Sequence, residues 1–263
     1  MYHYAVLLWE GASERLETIT SRKNPLIRHF RELSSDSEAR RLSGEYLCDG
    51  LKMLDEALAS GAKILRVAWK ERPEDRDLPG AEQYVLPAEL FDYVSPMKNS
   101  PGPVFTVAIR GCTKPGKLRN ALILEGVQDP GNVGTVIRTA NAFGIGAVIL
   151  LEDCADLYHP KTVRSTMGAI FRQTVLGLRR ETLPDFLRDQ GLPLYGAALH
   201  QNAADLRTLD LKHAAVAVGS EGHGLSPELL ALCRQCVIIP MQPESESLNA
   251  AVAASVLMWE MAR

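Results

Sequence analysis

The chain has 263 residues, of which 46% are hydrophobic and 23% charged, and its formal net charge is −3. This is the composition of an ordinary globular protein, and it excludes disordered, collagen-like and coiled-coil classes. The length predicts two domains or one large one, and the bulk charge excludes a uniformly basic nucleic-acid binder but not a local basic patch.

The cysteines and the apolar runs indicate the compartment. Five cysteines, an odd number spread over a long chain, favour a reducing environment over a disulfide-stapled secreted fold. No apolar run approaches the ~18 residues of a membrane span, and residues 4–9 are too short for a signal-peptide core. We therefore expect a cytoplasmic protein that has no membrane partner.

Proline and glycine mark the divisions of the chain. They are concentrated in segments 95–103 and 113–117, which cannot continue a helix or a strand. The second segment is the better boundary. The predicted divisions are an N-terminal extension over 1–15, a small domain over 16–112, a linker over 113–120 and a larger domain over 121–263.

The small domain is predicted to be an α/β unit. Asn24 and Pro25 open a helix, because proline is tolerated at the first helical position, and apolar residues then recur at helical spacing. A second helix is predicted over 50–60, and the charged run 71–80 is predicted to be a solvated loop. The strands are expected at 46–48, 64–69 and 104–109.

The larger domain shows a cleaner alternation of strands and helices. Its strands are continuous apolar runs, which predict a parallel sheet that is covered by helices on both faces. The strands are expected at 121–124, 147–151, 173–176, 194–199, 214–218 and 237–239. The helices are expected at 136–143, 162–169, 183–189 and 248–262.

Three clusters of glycine and polar residues follow predicted strands of this sheet, over 125–138, 219–226 and 239–249. Any one of them alone could be a tight turn or a helix cap. All three lie at the carboxyl ends of strands, where open α/β sheets bind their ligands, and together they predict a site at this edge.

Familiar nucleotide and hydrolase motifs are missing from these clusters. The P-loop spacing is absent, which argues against a Walker-type nucleotide hydrolase, and so is the dinucleotide-binding glycine pattern. The nucleophile elbow of α/β-hydrolases is also absent. Cys233 and Cys236 invite a zinc or redox interpretation, but they have no partner pair and precede a strand, so we predict packing thiols.

The three clusters resemble the signature motifs of the SpoU/TrmH family of RNA ribose 2′-O-methyltransferases, in the SPOUT superfamily. The motifs are Asn132-Val-Gly-Thr-Val-Ile-Arg138, Val218-Gly-Ser-Glu-Gly-His-Gly-Leu-Ser226, and Ile239-Pro-Met241 with Ser247-Leu-Asn249. Segments 21–25 and 44–52 are similar to the small substrate-binding domain, related to ribosomal RNA-binding proteins, that many members carry. One departure is Ala250 and Ala251 after Asn249, where members often have Val and Ser.

The resemblance implies an α/β fold with a C-terminal parallel-sheet α/β-knot, a deep trefoil knot, and a smaller N-terminal α/β RNA-binding domain. It implies a homodimer with the active site at the subunit interface, S-adenosylmethionine as cofactor, and no metal. The residues expected to contact the cofactor are Leu199, Gly219, Ile239, Met241 and Leu248. Arg138 is the implied catalytic arginine, and the residues implied to order the site are Asn132, Glu221, Ser247 and Asn249.

Local basic clusters are expected to contact RNA phosphates, so that each contact weakens binding as salt rises. Segment 20–41 carries six Lys and Arg against three acidic residues, and Arg22, Lys23 and Arg28 are its expected contacts. The alternative is a solvated helix face. A second predicted RNA-binding cluster contains His159, Lys161, Arg164 and Arg172.

The sequence leaves several alternatives open. Ribosomal RNA is favoured over tRNA as substrate because of the extra N-terminal domain, but a tRNA ribose 2′-O-methyltransferase and a non-catalytic RNA-binding module are alternatives. The role of Arg138 is also open. An arginine pKa above 12 makes this side chain an awkward base, so it could position the ribose hydroxyl and the adjacent phosphate instead of accepting the proton.

Overall fold

The computed structural model describes residues 16–111, 115–200, 202–242 and 247–263. These residues form two β-sheets, one in each half of the chain. The strands are β1 Leu16–Thr18, β2 Glu45–Asp49, β3 Ile64–Lys70, β4 Glu82–Leu86, β5 Val104–Ala108, β6 Ala121–Leu124, β7 Ala147–Leu150, β8 Val175–Gly177, β9 Leu194–Ala197, β10 Ala204–Asp205, β11 Ala215–Val218 and β12 Gln235–Ile238. The α-helices are α1 Pro25–Ser35, α2 Ser37–Ser43, α3 Leu51–Ala59, α4 Ala88–Val94, α5 Pro130–Phe143, α6 Pro160–Ser165, α7 Leu183–Gln190, α8 Pro227–Leu232 and α9 Ala250–Ala262.

The N-terminal sheet has five strands in the order β1-β4-β3-β5-β2. β1, β4 and β3 run parallel, whereas β5 is antiparallel to both of its neighbours. The three predicted strands and the two predicted helices are present within a few residues of their expected bounds. The expectation missed β1, β4, α2 and α4, because β1 is a short exposed edge strand and β4 mixes Glu82 and Gln83 with apolar residues.

The C-terminal sheet has seven strands, all parallel, in the order β10-β12-β9-β11-β6-β7-β8. This agrees with the predicted parallel sheet, and β6 has the predicted bounds. β9 ends at Ala197, before the predicted residue 199, and β8 is Val175–Gly177 where 173–176 was predicted. The predicted helix over 162–169 is also displaced, because α6 ends at Ser165 and Met167 has a positive φ of 49°.

The strand order reverses between β6 and β11. From β6 the chain proceeds outward through β7 to β8, and then crosses to β9 on the far side of β11. Ligands of open α/β sheets bind beyond the carboxyl ends of the strands at such a reversal. The four strands β12, β9, β11 and β6 are neighbours, so the segments that follow them emerge along one stretch of the sheet edge.

The two sheets are joined by a packed junction. Val163 of α6 and Phe171 are buried in one cluster with Tyr46 and Phe105 of the N-terminal sheet. Arg40, only 3% exposed, donates to Asp156 Oδ2 from Nε at 2.9 Å and from Nη2 at 2.6 Å. Arg40 contributes to the formal charge of segment 20–41, but its guanidinium is buried at the junction and does not belong to an exposed basic surface.

None of the helices in the described ranges is long and apolar enough to cross a membrane.

Candidate functional site

The site is built at the start of α5. Asp129 caps this helix by accepting a hydrogen bond from the backbone N–H of Asn132 at 3.0 Å, and Lys161 Nζ lies 2.6 Å from its other oxygen. The hydrogen bond from Lys161 holds the pKa of the Asp129 carboxyl below its usual range. An ionised carboxylate is favourable at this position, because the N-terminus of a helix carries partial positive charge.

Three predicted site residues, one from each motif, meet in a hydrogen-bonded cluster. Asn249 Nδ2 donates to Glu221 Oε1 at 2.6 Å and to Asn132 Oδ1 at 3.2 Å, and Asn132 Nδ2 donates to Glu221 Oε1 at 3.2 Å. The backbone N–H of Ala250 also donates to Oε1, at 3.1 Å. Within the described residues, no hydrogen bond reaches Glu221 Oε2, so this oxygen is available as an acceptor.

The orientation of the Asn249 amide follows from the helix that it begins. Its Oδ1 accepts from the backbone N–H groups of Ala251 and Val252 at 3.0 and 3.2 Å, capping α9. The nitrogen of the amide is therefore the atom that faces Glu221. The oxygen of the Asn249 amide therefore caps α9 while its nitrogen binds Glu221.

Arg138 is not brought to this cluster. It is exposed on α5 and makes no hydrogen bond or ion pair with any residue that the structure describes. Six residues separate it from Asn132, which corresponds to a rise of about 9 Å and a rotation of about 240° along the helix. Ser247 is exposed two residues before Asn249, and no hydrogen bond joins its side chain to the cluster among the described residues.

The predicted cofactor residues follow neighbouring strands. Leu199 follows β9, Gly219 follows β11, Ile239 and Met241 follow β12, and Leu248 precedes α9. A Cβ atom on Gly219 would lie 2.1 Å from the carbonyl carbon and oxygen of Gly224, so only glycine fits there. Leu199 is 70% exposed, an uncovered apolar side chain at the sheet edge.

The glycine of the first motif has a packing role. A Cβ atom on Gly134 would lie 2.4 Å from the carbonyl oxygen of Thr162 and 2.5 Å from Ser165 Cβ. Gly134 therefore lets α5 approach α6 closely. Its value to the site is indirect, because α5 carries Asn132.

The sequence prediction missed a buried ion pair beside the cluster. Glu125 is 5% exposed, accepts from the backbone N–H and Oγ of Ser226 at 2.8 Å each, and lies 3.0 Å from Arg180 Nη2. With Asn132 and Glu221, these residues line a cleft of about 550 Å³. A polar residue ending the apolar strand β6 is a signal for Glu125, whereas no local pattern identifies Arg180.

The predicted RNA-binding residues of segment 20–41 lie on an exposed surface. Arg22, Lys23 and Arg28 are all exposed. The guanidinium carbons of Arg22 and Arg31 each lie 4.9 Å from the ring centroid of Tyr93. Tyr93 is 41% exposed, and the sequence prediction missed it because it comes from α4.

The second predicted RNA-binding cluster is divided by the structure. His159, Lys161 and Arg164 lie together around α6, but Lys161 pairs with Asp129. Arg172 pairs with Glu56 of α3 and so spans the junction. His159 Nδ1 accepts from the backbone N–H of Lys161, and burial, together with the charges of Arg40 and Lys161, lowers the pKa of its imidazole.

Cys233 behaves as a packing thiol, as predicted. It packs against the hydrophobic cluster on one face of the C-terminal sheet and donates to the carbonyl of Leu229 at 3.3 Å. Burial raises the pKa of this thiol to about 12. Across the described ranges, no group of three His, Cys, Asp or Glu side chains is arranged to hold a metal ion.

Comparisons with known proteins agree with the motifs. Residues 119–259 match the model of the SpoU rRNA Methylase family. The chain is 31% identical over 249 residues to the 23S rRNA (guanosine(2553)-2′-O)-methyltransferase RlmP of Bacillus subtilis, covering 94% of this chain and 99% of that protein. It is 33% identical over 262 residues to an uncharacterised tRNA/rRNA methyltransferase of Synechocystis, covering 94% of each.

The comparison with solved structures also finds an rRNA methyltransferase. An AdoMet-bound rRNA methyltransferase from Sinorhizobium meliloti superposes with a TM-score of 0.83 at 26% identity, covering 94% of this chain and 97% of that one. The similarity extends over both sheets, because so little of either chain lies outside it.

Proposed function

The chain belongs to the SpoU rRNA methylase family, and on that premise we propose that it transfers the methyl group of S-adenosylmethionine to a ribose 2′-hydroxyl of RNA. The observation that carries the proposal is the convergence of Asn132, Glu221 and Asn249 from three separate motifs. The substrate that we propose is ribosomal RNA, in preference to tRNA, in the cytoplasm. The relative from Bacillus subtilis is named as a 23S rRNA enzyme.

The sheet edge formed by the segments after β9, β11 and β12 fits an adenosine group. The missing Cβ at Gly219 lets the backbone of Gly224 pack closely against the end of β11 and so shapes the loop there, and the uncovered side chain of Leu199 offers an apolar surface. The residues that would hold the group are Leu199, Gly219, Ile239, Met241 and Leu248. When bound, S-adenosylmethionine supplies a methyl group that its sulfonium has already activated.

The protein has to align the ribose hydroxyl and remove its proton. A protonated hydroxyl is a poor nucleophile, so an acceptor must take the proton as the oxygen–methyl bond forms. Glu221 Oε2 is a candidate acceptor, since Oε1 is already held by the two asparagines and by Ala250. We assign Arg138 to positioning the hydroxyl and the adjacent phosphate, because a guanidinium offers hydrogen-bond donors and no acceptor for the proton.

The position of Arg138 supports a homodimer. On its own chain, Arg138 lies about two turns along α5 from Asn132. The neighbouring helix α9 exposes Trp259 at 56% and Val252 at 49%, and the Trp259 ring packs edge-on against Phe143 of α5. A second copy packed on this α5–α9 face would cover the apolar side chains and bring its own Arg138 to the site.

We assign RNA binding and methyl transfer to the halves of the chain that contain the two sheets. We infer that residues 16–112 form an RNA-binding domain like those related to ribosomal RNA-binding proteins, that 113–120 are a linker, and that 121–263 form the methyltransferase domain. The strand order, with β12 inserted between β10 and β9 before α9 returns to pack on α5, supports a trefoil knot in this domain. Arg22, Lys23 and Arg28 would contact phosphates on the first domain, and His159, Lys161, Arg164 and Arg172 on the second.

Transfer of tritiated methyl groups from S-adenosylmethionine to unmodified 23S rRNA and to unmodified tRNA tests the function. We expect label in the ribosomal RNA, resistant to base removal and mapping to one ribose. Label only in tRNA would favour a tRNA enzyme. Binding of S-adenosylmethionine and RNA without any transfer would favour a non-catalytic RNA-binding module.

A further inference from the structure

A cavity of about 160 Å³ lies at the junction of the two sheets, apart from the cleft beside Glu221. A closed cavity of about this volume holds benzene, and because this one opens to solvent, a fused two-ring base can enter it edge first with part of the base outside. Both halves of the chain supply its walls: Leu47, Asp49, Met53 and Met97 come from the first, and His159 and Arg164 from the second.

Its apolar surface suits a flat ring. Met53 is buried at the start of α3, Met97 is half-buried on the loop after α4, and Leu47 is buried in β2. Methionine side chains are flexible and polarisable, and their sulfur atoms make favourable contacts with aromatic rings. Two thioethers on one small cavity therefore form an adaptable wall for a planar ligand.

One side of the cavity carries a fixed hydrogen-bond acceptor. Asp49 is the last residue of β2, and its two carboxylate oxygens accept from the hydroxyls of Ser95, at 2.6 Å, and Ser100. It forms no ion pair with a described residue. Each oxygen keeps a lone pair, so the carboxylate can still accept N–H groups from a ligand.

The second half of the chain contributes donors to the cavity. His159 Nδ1 accepts the backbone N–H of Lys161, so the neutral imidazole bears its hydrogen on Nε2. Arg164 adds an exposed guanidinium that makes no hydrogen bond with the described part of the chain. A ligand that matches this cavity is a flat ring that carries both hydrogen-bond donors and acceptors on its edge.

We propose that this junction cavity binds one base of the substrate RNA, an amino-bearing base with guanine preferred. Guanine presents two adjacent N–H groups, N1–H and N2–H, to the two oxygens of a carboxylate. This inference rests on the proposed function, because it takes RNA to be the substrate.

Lys161 connects the cavity with the catalytic cleft. The same residue lines the cavity and pairs through Nζ with Asp129, which caps α5 at Asn132 and lines the cleft. The Lys161 side chain therefore extends from the junction cavity to Asp129 at the edge of the cleft. The base bound here belongs to a nucleotide close to the methylated one.

Methyl NMR of the protein labelled with ¹³C-methyl methionine tests the cavity without knowledge of the RNA sequence. The probes are GMP, AMP, CMP and UMP, each added alone, and the Met53 and Met97 signals are assigned by substitution with leucine. We expect both signals to shift, most with GMP and least with UMP. Asp49→Asn should weaken the GMP response about tenfold, whereas Asp77→Asn, on an exposed loop of the same half, should not change it. Absence of shifts at both methionines, or equal responses to GMP and UMP, would overturn the proposal.

A second variant connects the cavity with RNA. Met97→Trp fills the cavity from its loop, and it should weaken binding of an unmodified 23S rRNA transcript about tenfold while leaving the Kd for S-adenosylmethionine unchanged. Wild-type RNA affinity in Met97→Trp and Asp49→Asn, with both variants folded, would refute the cavity and leave the proposed function standing. Failure of the proposed function is seen separately, as no methyl transfer to any RNA by the wild-type chain.

Discussion

The side-chain nitrogen of Asn249 lies 2.6 Å from Glu221 Oε1, and it is the shortest hydrogen bond in the cluster that closes the site. The two residues belong to different strand-end segments, after β12 and β11. Because Asn249 also caps α9, the position of Glu221 is fixed by the helix that begins there. The site is thus stabilised by the same bonds that stabilise the fold.

Arg138→Ala should lower methyl transfer by about 10²–10³-fold, the cost of losing one positioned donor, while S-adenosylmethionine still binds. If Arg138 acts on the partner's site, mixing Arg138→Ala with the separately inactive Asn132→Ala should restore about one quarter of wild-type activity. The reason is that half of the random dimers are mixed and each holds one intact site. Transfer assays on the mixture measure this. An inactive mixture that still exchanges subunits would contradict action across the interface.

Gly134→Ala should destabilise the protein by about 1–3 kcal/mol, because the new methyl group meets the backbone of Thr162 and the side chain of Ser165. Urea unfolding monitored by circular dichroism measures the loss. Gly177→Ala is the matched control, since a Cβ atom there meets nothing within 4 Å. Equal effects of the two substitutions would show that α5 and α6 are not closely packed.

Asp156→Ala should cost about 3–5 kcal/mol of unfolding free energy, because it leaves the buried Arg40 guanidinium without its carboxylate. The exposed pair of Arg188 with Asp185 provides the control, and Asp185→Ala should cost less than about 1 kcal/mol. Replacing Arg40 with Met and Asp156 with Leu together should recover most of the loss. If that double variant is as unstable as Asp156→Ala, the uncompensated charge is not the cause.

Glu45 should give stability that disappears in acid. Burial raises the pKa of this carboxyl, but the hydrogen bond from His29 and the charge of Arg66 outweigh it and lower the pKa from 4.5 to about 2. The unfolded chain therefore takes up this proton first as pH falls. The contribution, up to about 3 kcal/mol, is complete above pH 5 and is lost between about pH 5 and pH 2. Unfolding of Glu45→Gln should depend less on pH in that window, and Glu181→Gln, at an exposed site, should follow the wild type.

Charge reversal of Arg22, Lys23 and Arg28 to Glu should weaken RNA binding and flatten its salt dependence. Three lost contacts to single-stranded RNA lower the slope of log K against log salt by about 2. The matched control reverses Arg119, Arg179 and Arg188, which are exposed in the other half. An unchanged slope in the first variant would mean that this surface is a solvated helix face.

Much of the site could be predicted because it depends on local patterns. The apolar run Ala121–Leu124 is bounded by Asn120 and Glu125, so its strand has the predicted limits. Parallel strands bring their carboxyl ends to one edge, which explains why Asn132, Glu221 and Asn249 meet although they are far apart in the chain.

The parts that could not be predicted depend on contacts between distant segments. Arg180 reaches Glu125 over the end of β7, and Arg40 is buried only because Asp156 docks on it from the other half. Neither relationship leaves a trace in spacing or composition. From the sequence, Arg40 is predicted to be one more surface charge in a basic segment. Only the packing of the two halves shows that it is a buried ion-pair partner of Asp156.

The short helix α6 sets what can be exchanged between related proteins. It packs on the N-terminal sheet through Val163 and on α5 through Thr162 and Ser165. A chimaera that receives residues 16–112 from a related protein would pack foreign side chains against Val163 of this helix. The segment to be exchanged together with 16–112 therefore includes residues 156–172. In a chimaera made without them, α5 should tilt and displace Asn132.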